Sequence, residues 1–378
     1  MKKICVVLAV FILVCFSVVD VSAVSDNVTH DLENSLGLEQ LYDSLSSDAK
    51  KSLERMGVYG FGKDTLESVS FQSVLAEILR IAGSEGVGIF SLSGLIIAVM
   101  LLYGAFEGLG DSICSMSMKK VLSVSSSLLI SCALLVPATE VIKDATEMIT
   151  AAADFMLAYI PIMFMVMISC SSPLSASGYY AMMTGLSQVI AQLSAKFIAP
   201  MLNVFLGVSV AGSIVPELKI TGILNTFSKS VKWILSFSFT IFSALLGFKT
   251  LISTSVDNVS ARAVRYTMSS FVPVVGAALS EAYKTVEGSV RILKNGIGVF
   301  VIFAIGAVFL PIVIKLLLWL LTLNMLKSFG EVVNLTLPCS LLSGVSSVLG
   351  VILAIILCVA ALFIISTALI ITVGGGVS

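Results

Sequence analysis

Few residues in this chain are equipped for chemistry, and their spacing narrows the options quickly. Histidine occurs once, at His30. A single histidine in the N-terminal segment argues against an imidazole-based metal site, a Ser-His-Asp triad or a Cys-His pair. Of the seven cysteines, Cys5 and Cys15 fall in the first apolar run. Cys114, Cys132, Cys170, Cys339 and Cys358 lie at no metal or redox spacing and read as small apolar residues. Gly108-Leu109-Gly110-Asp111 has the GxGD form of intramembrane aspartyl proteases. That chemistry needs a second carboxylate sharing a proton. Asp154 is a possible mate, but the tyrosine-aspartate motif expected on an earlier span is missing, so an ordinary turn is the better reading. No phosphate-cradling GxxxxGK[ST] is present. The chain is therefore expected to be no enzyme and to need no cofactor or metal.

The remaining reactive material is charge embedded in apolar sequence, a functional hypothesis by default in a membrane. Lys315, in FLPIVIKLLLWLL one turn after Pro311, is the clearest case. It either snorkels or faces a protein interior or a water path. Lys249 and Glu107 sit near the ends of apolar runs and read as snorkelling.

The elements that must carry these residues are helices in lipid. The chain of 378 residues is 57% hydrophobic and 12% charged, with a mean hydropathy of +1.07. A soluble domain carries about 25% charged residues. The fold class expected is all-α: a polytopic helical membrane protein with seven or eight spans. The apolar runs are Gly88–Phe106, Val121–Ala138, Phe155–Cys170, Tyr179–Leu193, Phe197–Val215, Val231–Ile252, Ile297–Leu323 and Val345–Val373. Pro137, Pro161, Pro200, Pro273 and Pro311 are expected to kink helices.

Residues 1–23 read as a cleaved signal peptide: Lys2 and Lys3, an apolar core, and a small-residue ending at Val21-Ser22-Ala23. Residues 24–87 form an acidic exported segment, with eleven acids against five bases. Nothing in it suits nucleic acid. Leu38, Leu41, Leu45 and Ala49 suggest one amphipathic helix there. Ser47 to Met56, stopping at Gly57, forms a second, and a third runs from Thr65 to Ala82 and stops at Gly83. The expected organisation continues with membrane helices over 88–252 and 299–378. If Val24 is outside, Lys119 and Lys120 fall inside and Glu140, Asp144 and Glu147 outside, as the positive-inside rule prefers.

Between those blocks, Ser253 to Gly298 is weakly hydrophobic and helically patterned. Val256, Val259, Ala263, Tyr266 and Ser270 share one face, against Asn258, Arg262, Arg265 and Ser269. In its second half Leu279, Ala282, Val286, Val290 and Leu293 form an apolar stripe opposite Lys284, Glu287, Arg291 and Lys294. Glu287 and Arg291 are spaced to pair along a helix. Pro273 and Gly276 break the pattern between the halves. The reading is an amphipathic helical hairpin, either a surface feature in the headgroups or a re-entrant or pore-lining element. The residues singled out for a pore or assembly role are Arg262, Arg265, Pro273, Gly276, Glu287, Arg291 and Lys315.

The same stretch carries a resemblance. Its Val256-Asp257, Arg262, Phe271, Pro273-Val274-Val275-Gly276, Leu279-Ser280, Thr285-Val286, Lys294-Asn295 and Gly298 resemble the stage III sporulation protein AE family. The residues alone leave two functions open: a stand-alone secondary transporter or permease, and a membrane subunit of a larger assembly. The resemblance implies the second. It implies a multi-pass protein of the mother-cell membrane surrounding the forespore. It also implies a transenvelope, secretion-like channel built with the other products of the stage III sporulation A operon and a forespore-side partner. Membrane lipid is the remaining partner expected.

Overall fold

The computed structural model describes residues 38–58, 60, 69–108, 116–214, 220–271, 276–333 and 335–372. Among them every regular element is helical. The expected signal peptide, the third helix's predicted start, Leu109-Gly110-Asp111 and Pro273 lie outside the described residues.

Two short helices come first, α1 (Leu38–Asp43) and α2 (Ser47–Met56). Ser46 caps α2 by accepting from the Ala49 N–H, and Gly57 ends it at φ 91°, a conformation that suits glycine. The stripe read from the sequence, Leu38, Leu41, Leu45 and Ala49, is buried, as are Leu53 and Met56, but it spans two helices, with a break at 44–46, instead of one. The next helix, α3 (Phe71–Gly108), does not stop at Gly83. One helical glycine costs only about 1 kcal/mol against alanine, too little to end a helix whose neighbours favour it.

Long helices make up the rest: α4 (Met116–Ser169), α5 (Pro173–Leu193), α6 (Ala199–Ile214), α7 (Ile220–Phe271), α8 (Gly276–Val332) and α9 (Thr336–Thr372). Among the described residues six helical stretches are long and apolar enough to cross a membrane, against the seven or eight spans expected from the apolar runs. The run Val121–Ala138 and all but the last residue of Phe155–Cys170 belong to one helix, α4. The acid-rich segment between them is built of good helix formers and braced by Lys143–Glu147 at 3.6 Å, so it stays helical instead of looping outside. Likewise α5 passes into α6 through a π-turn at Ser194–Ile198. Pro200 has no N–H to give the Lys196 carbonyl, and its ring crowds that turn, so the ladder widens there.

With 54 residues, α4 is about 80 Å long at 1.5 Å per residue, against about 30 Å of bilayer hydrocarbon. Charge divides this length. In α8, residues 295–314 carry no charge, then comes Lys315, then a second charge-free stretch over 316–326. In α3, residues 86–106 are charge-free beyond Glu85. The uncharged helix α9 lies beside α8 and contributes Leu341, Val348, Ile352, Ile356 and Phe363 to the core. Around that pair stand α3, α4, α6 and α7, with α5 against α4 and α7, α1 against α4, and α2 against α8 and α3. Tyr42 meets Phe300 of α8, ring centroids 6.4 Å apart.

Close backbones hold the bundle. A Cβ on Gly344 of α9 would collide with Ser209 Oγ of α6, and one on Gly298 of α8 would lie 2.5 Å from Ile371 Cγ1 of α9. Small residues at helix contacts supply packing in lipid, where hydrophobic driving force between helices is lost.

Candidate functional site

The stretch from Ser253 to Gly298 is not a free hairpin. Its first half is the end of α7 and its second half the start of α8. The sides it turns inward also differ from the pattern read in the sequence. Val256, Val259 and Tyr266 are exposed, while Asp257 and Ala261 are buried. Val286 is exposed, while Glu287, Val290, Leu293 and Lys294 are buried. This corrects the amphipathic reading in part: Val256, Val259, Tyr266 and Val286 of its apolar faces turn outward and Glu287 and Lys294 of its charged face inward, whereas Val290 and Leu293 are buried and Arg262 is exposed, as the pattern expects. An apolar surface costs nothing against lipid, whereas a charge there must find a protein partner.

Those inward polar groups converge on the corner between α4 and α5. Helix α4 ends in a Schellman arrangement: the Ser172 N–H donates to the Met167 carbonyl at 3.1 Å, and the Ser171 N–H to Ile168 at 3.0 Å. Ser171 holds φ 57°, the one positive φ outside glycine among the described residues. An L-residue pays about 1 kcal/mol there, so the corner is fixed by what surrounds it. Pro173 opens α5, and the preceding Ser172 makes no side-chain cap. The cap comes from α7 instead. Asp257, 3% exposed, accepts from the Leu174 N–H at 3.0 Å and the Ser175 N–H at 2.8 Å. A carboxylate at this position satisfies two orphan donors and faces the positive end of the helix dipole.

From α8, the Tyr283 hydroxyl bonds with the Ser171 hydroxyl. One turn on, Arg291 Nη2 donates to Glu287 Oε1 at 3.1 Å, the pair expected from the sequence. Lys294 is 1% exposed. The buried Cys170 thiol is pushed up by burial; Lys294 and Arg291 pull it down, and Glu287 adds to the rise. Glu287 Oε2, Arg291 Nε and Asn295 Oδ1 are buried with no hydrogen-bond partner among the described residues. The corner is thus a polar knot tied by three helices, rich in unspent hydrogen-bonding capacity.

The other singled-out residues fall elsewhere. Arg262 is exposed, and Arg265, half-buried, turns its Nε to the Ala261 carbonyl at 3.3 Å. Neither joins the knot in the contacts given by the described residues. Gly276 opens α8.

Lys315 belongs to a second cluster. Its Nζ lies 2.8 Å from Asp144 of α4 and 3.6 Å from Glu85 of α3. All three side chains are partly exposed, and the lysine faces protein partners. The Ser194 hydroxyl, at the π-turn, donates to the Thr146 carbonyl at 3.2 Å. Lys315, Asp144 and Glu85 thus form a charged belt across α8, α4 and α3, and the Ser194 contact brings the π-turn that holds Lys196 to the neighbouring turn of α4.

A third cluster holds the N-terminal helices. Glu77 of α3, 2% exposed, accepts from Arg80 Nε at 2.8 Å, Arg80 Nη2 at 2.7 Å and the Ser52 hydroxyl of α2 at 2.9 Å, with Arg55 at 3.6 Å.

Sequence reasoning missed Asp257, Tyr283, Lys294, Asp144 and Glu85 as site residues. Asp257 and Lys294 stand in the patterned stretch itself, but periodicity does not say which helix end a carboxylate will meet. By the charge rule Asp144 reads as outside, and Glu85 falls within the acidic segment 24–87, so neither reads as a partner for Lys315.

Residues 61–374 match the family described as Stage III sporulation protein AE. The chain belongs to that family. A relative named "Stage III sporulation protein AE", from Bacillus subtilis (strain 168), is 23% identical over 158 residues. The match spans 42% of this chain and 40% of that relative, so the chain covers under half of the relative's length. No solved structure matches. The corner knot, the belt and Glu77 all lie within the residues the family description covers.

Proposed function

We propose that this protein is a multi-pass subunit of a transenvelope, secretion-like channel between mother cell and forespore, required for forespore development. Membership of the stage III sporulation AE family supports a role in sporulation. Six helices among the described residues, each apolar enough to cross a membrane, support residence in one.

The observation that carries the subunit reading is how the family stretch is used. Asp257 and Tyr283 bond to a helix N-terminus and a turn hydroxyl, and Glu287 and Arg291 pair with each other through Oε1 and Nη2. That is the behaviour of residues that fix a scaffold. Beyond the knot, α7 leaves Trp233, Phe237, Leu245, Phe248, Leu251 and Val259 on the outside, a long apolar flank for lipid or neighbouring subunits. Energy for transport comes, in this reading, from a partner. The other products of the same operon and a forespore-side protein are the proposed partners, and the N-terminal helices the proposed exported part.

A stand-alone permease remains the second reading. The Lys315–Asp144–Glu85 cluster favours it, because charge held between membrane helices marks ion and proton routes in transporters.

Deleting the gene in its host separates the two. The subunit reading predicts normal vegetative growth and engulfed forespores that fail to switch on a late forespore-specific reporter. An uptake or growth defect in vegetative cells with normal spores would overturn it.

A further inference from the structure

A groove between α6 and the start of α7 has no part in the knot or the belt. Its volume is about 490 Å³, within the range of about 300–1,000 Å³ for small-ligand sites. Phe197, Val204 and Phe205 wall one side, Ile223, Leu224 and Phe227 the other, and Phe205 and Phe227 meet at 4.9 Å. Every lining residue is apolar except Lys196, the first in chain order, at one end. From Lys196 to Val208 the groove follows the helix for about 18 Å.

Two further observations say what fits. First, Lys196 sits inside the π-turn Ser194–Ile198. The turn buries Ser194 and leaves Ala195, Lys196 and Phe197 in succession on the outside, so the cation stands beside the greasy wall. Such turns are frequent at functional sites. Second, Lys196 has no carboxylate within ion-pair distance among the described residues. Through Ser194 and Thr146 it stands near the charged belt. There a headgroup would meet it while the groove runs on past Val204 to Val208.

A long apolar channel with one unneutralised cation at its mouth complements an amphiphile with an anionic head. We propose that this groove binds an anionic phospholipid, its phosphate on Lys196 and one acyl chain along α6 and α7. A transmembrane helix of a partner would satisfy the walls but not the isolated cation. A zwitterionic lipid brings its own positive charge to the same spot. The site makes lipid a structural ligand at the place where the α5–α6 ladder is widened, so its occupancy holds α7 against α6.

The test uses the full chain purified in neutral detergent, with phosphatidylglycerol and phosphatidylcholine as probes. Native mass spectrometry reads bound lipid, and thermal unfolding reads its effect. The proposal predicts that phosphatidylglycerol survives delipidation and raises Tm more than phosphatidylcholine. Lys196→Gln should lower its apparent affinity about fivefold, the factor equivalent to about 1 kcal/mol per lysine at an anionic surface. Lys196→Arg should retain it. Val204→Trp, which fills the groove, should expel the lipid whatever its head. Equal retention of the two lipids, or unchanged phosphatidylglycerol binding in Lys196→Gln, would overturn the proposal. So would a photo-crosslinker at Ile223 that captures a polypeptide and no lipid. Should Val204→Trp fail to fold, the two Lys196 variants still decide.

Discussion

Asp257→Ala gives the clearest test of the knot, because what it removes can be counted. The carboxylate is 3% exposed and accepts two backbone N–H groups at 3.0 and 2.8 Å. Truncation leaves both donors at the α5 N-terminus without an acceptor, in a corner with little access to water. An orphaned buried donor costs about 1–3 kcal/mol, and loss of an N-cap typically about 1 kcal/mol. These overlap, so the corner should lose about 2–4 kcal/mol. Asp257→Asn keeps one acceptor oxygen but turns an NH₂ toward the second N–H, and should fall about midway. Cys170, 4% exposed in the same corner, is the reporter. In a chain whose other cysteines are replaced by alanine, its maleimide labelling follows local opening. A loss of 2–4 kcal/mol raises that rate by about 30-fold to several-hundred-fold. Labelling and thermal unfolding unchanged in Asp257→Ala would refute the argument that α7 caps α5.

Other perturbations test the neighbouring claims. Lys315→Leu should destabilise the detergent-purified protein by about 1–2 kcal/mol, between the values for exposed and buried pairs; a double-mutant cycle with Asp144→Asn should return a coupling of about 1 kcal/mol, and a harmless Lys315→Leu would mean the lysine only snorkels. Gly344→Val should cost about 1–3 kcal/mol by overpacking against Ser209, read as a lowered Tm. The double reversal Arg262→Glu with Arg265→Glu should leave accumulation in the membrane normal while blocking sporulation, measured as heat-resistant spores; full sporulation would make that part of α7 a passive surface.

The sequence carried the helices more fully than the site. Composition and the apolar runs placed the chain in a membrane, and the leucine stripe with Gly57 located α1 and α2. Boundaries inside the long helices were harder to read. The segment around Asp144 looks like a loop because it is acidic, yet acids cost a helix little when they find Lys143 or Lys315. Glu287 with Arg291 was legible because the pair is local, four residues apart. Asp257 with Leu174 and Ser175 was not, since the cap and the helix it caps are 83 and 82 positions apart. The outward-facing Val256, Val259, Tyr266 and Val286 have a related cause. A hydrophobic pattern gives the period of a helix, while the side that turns inward is set by whether lipid or water lies outside.

The most direct test of the subunit reading is purification of the tagged full chain from sporulating cells in mild detergent, alongside the Asp257→Ala variant. The account predicts that the native chain brings down other products of its operon in defined ratio, and that the variant inserts but loses them. A native chain that purifies alone and, in liposomes, moves a solute by itself would contradict it.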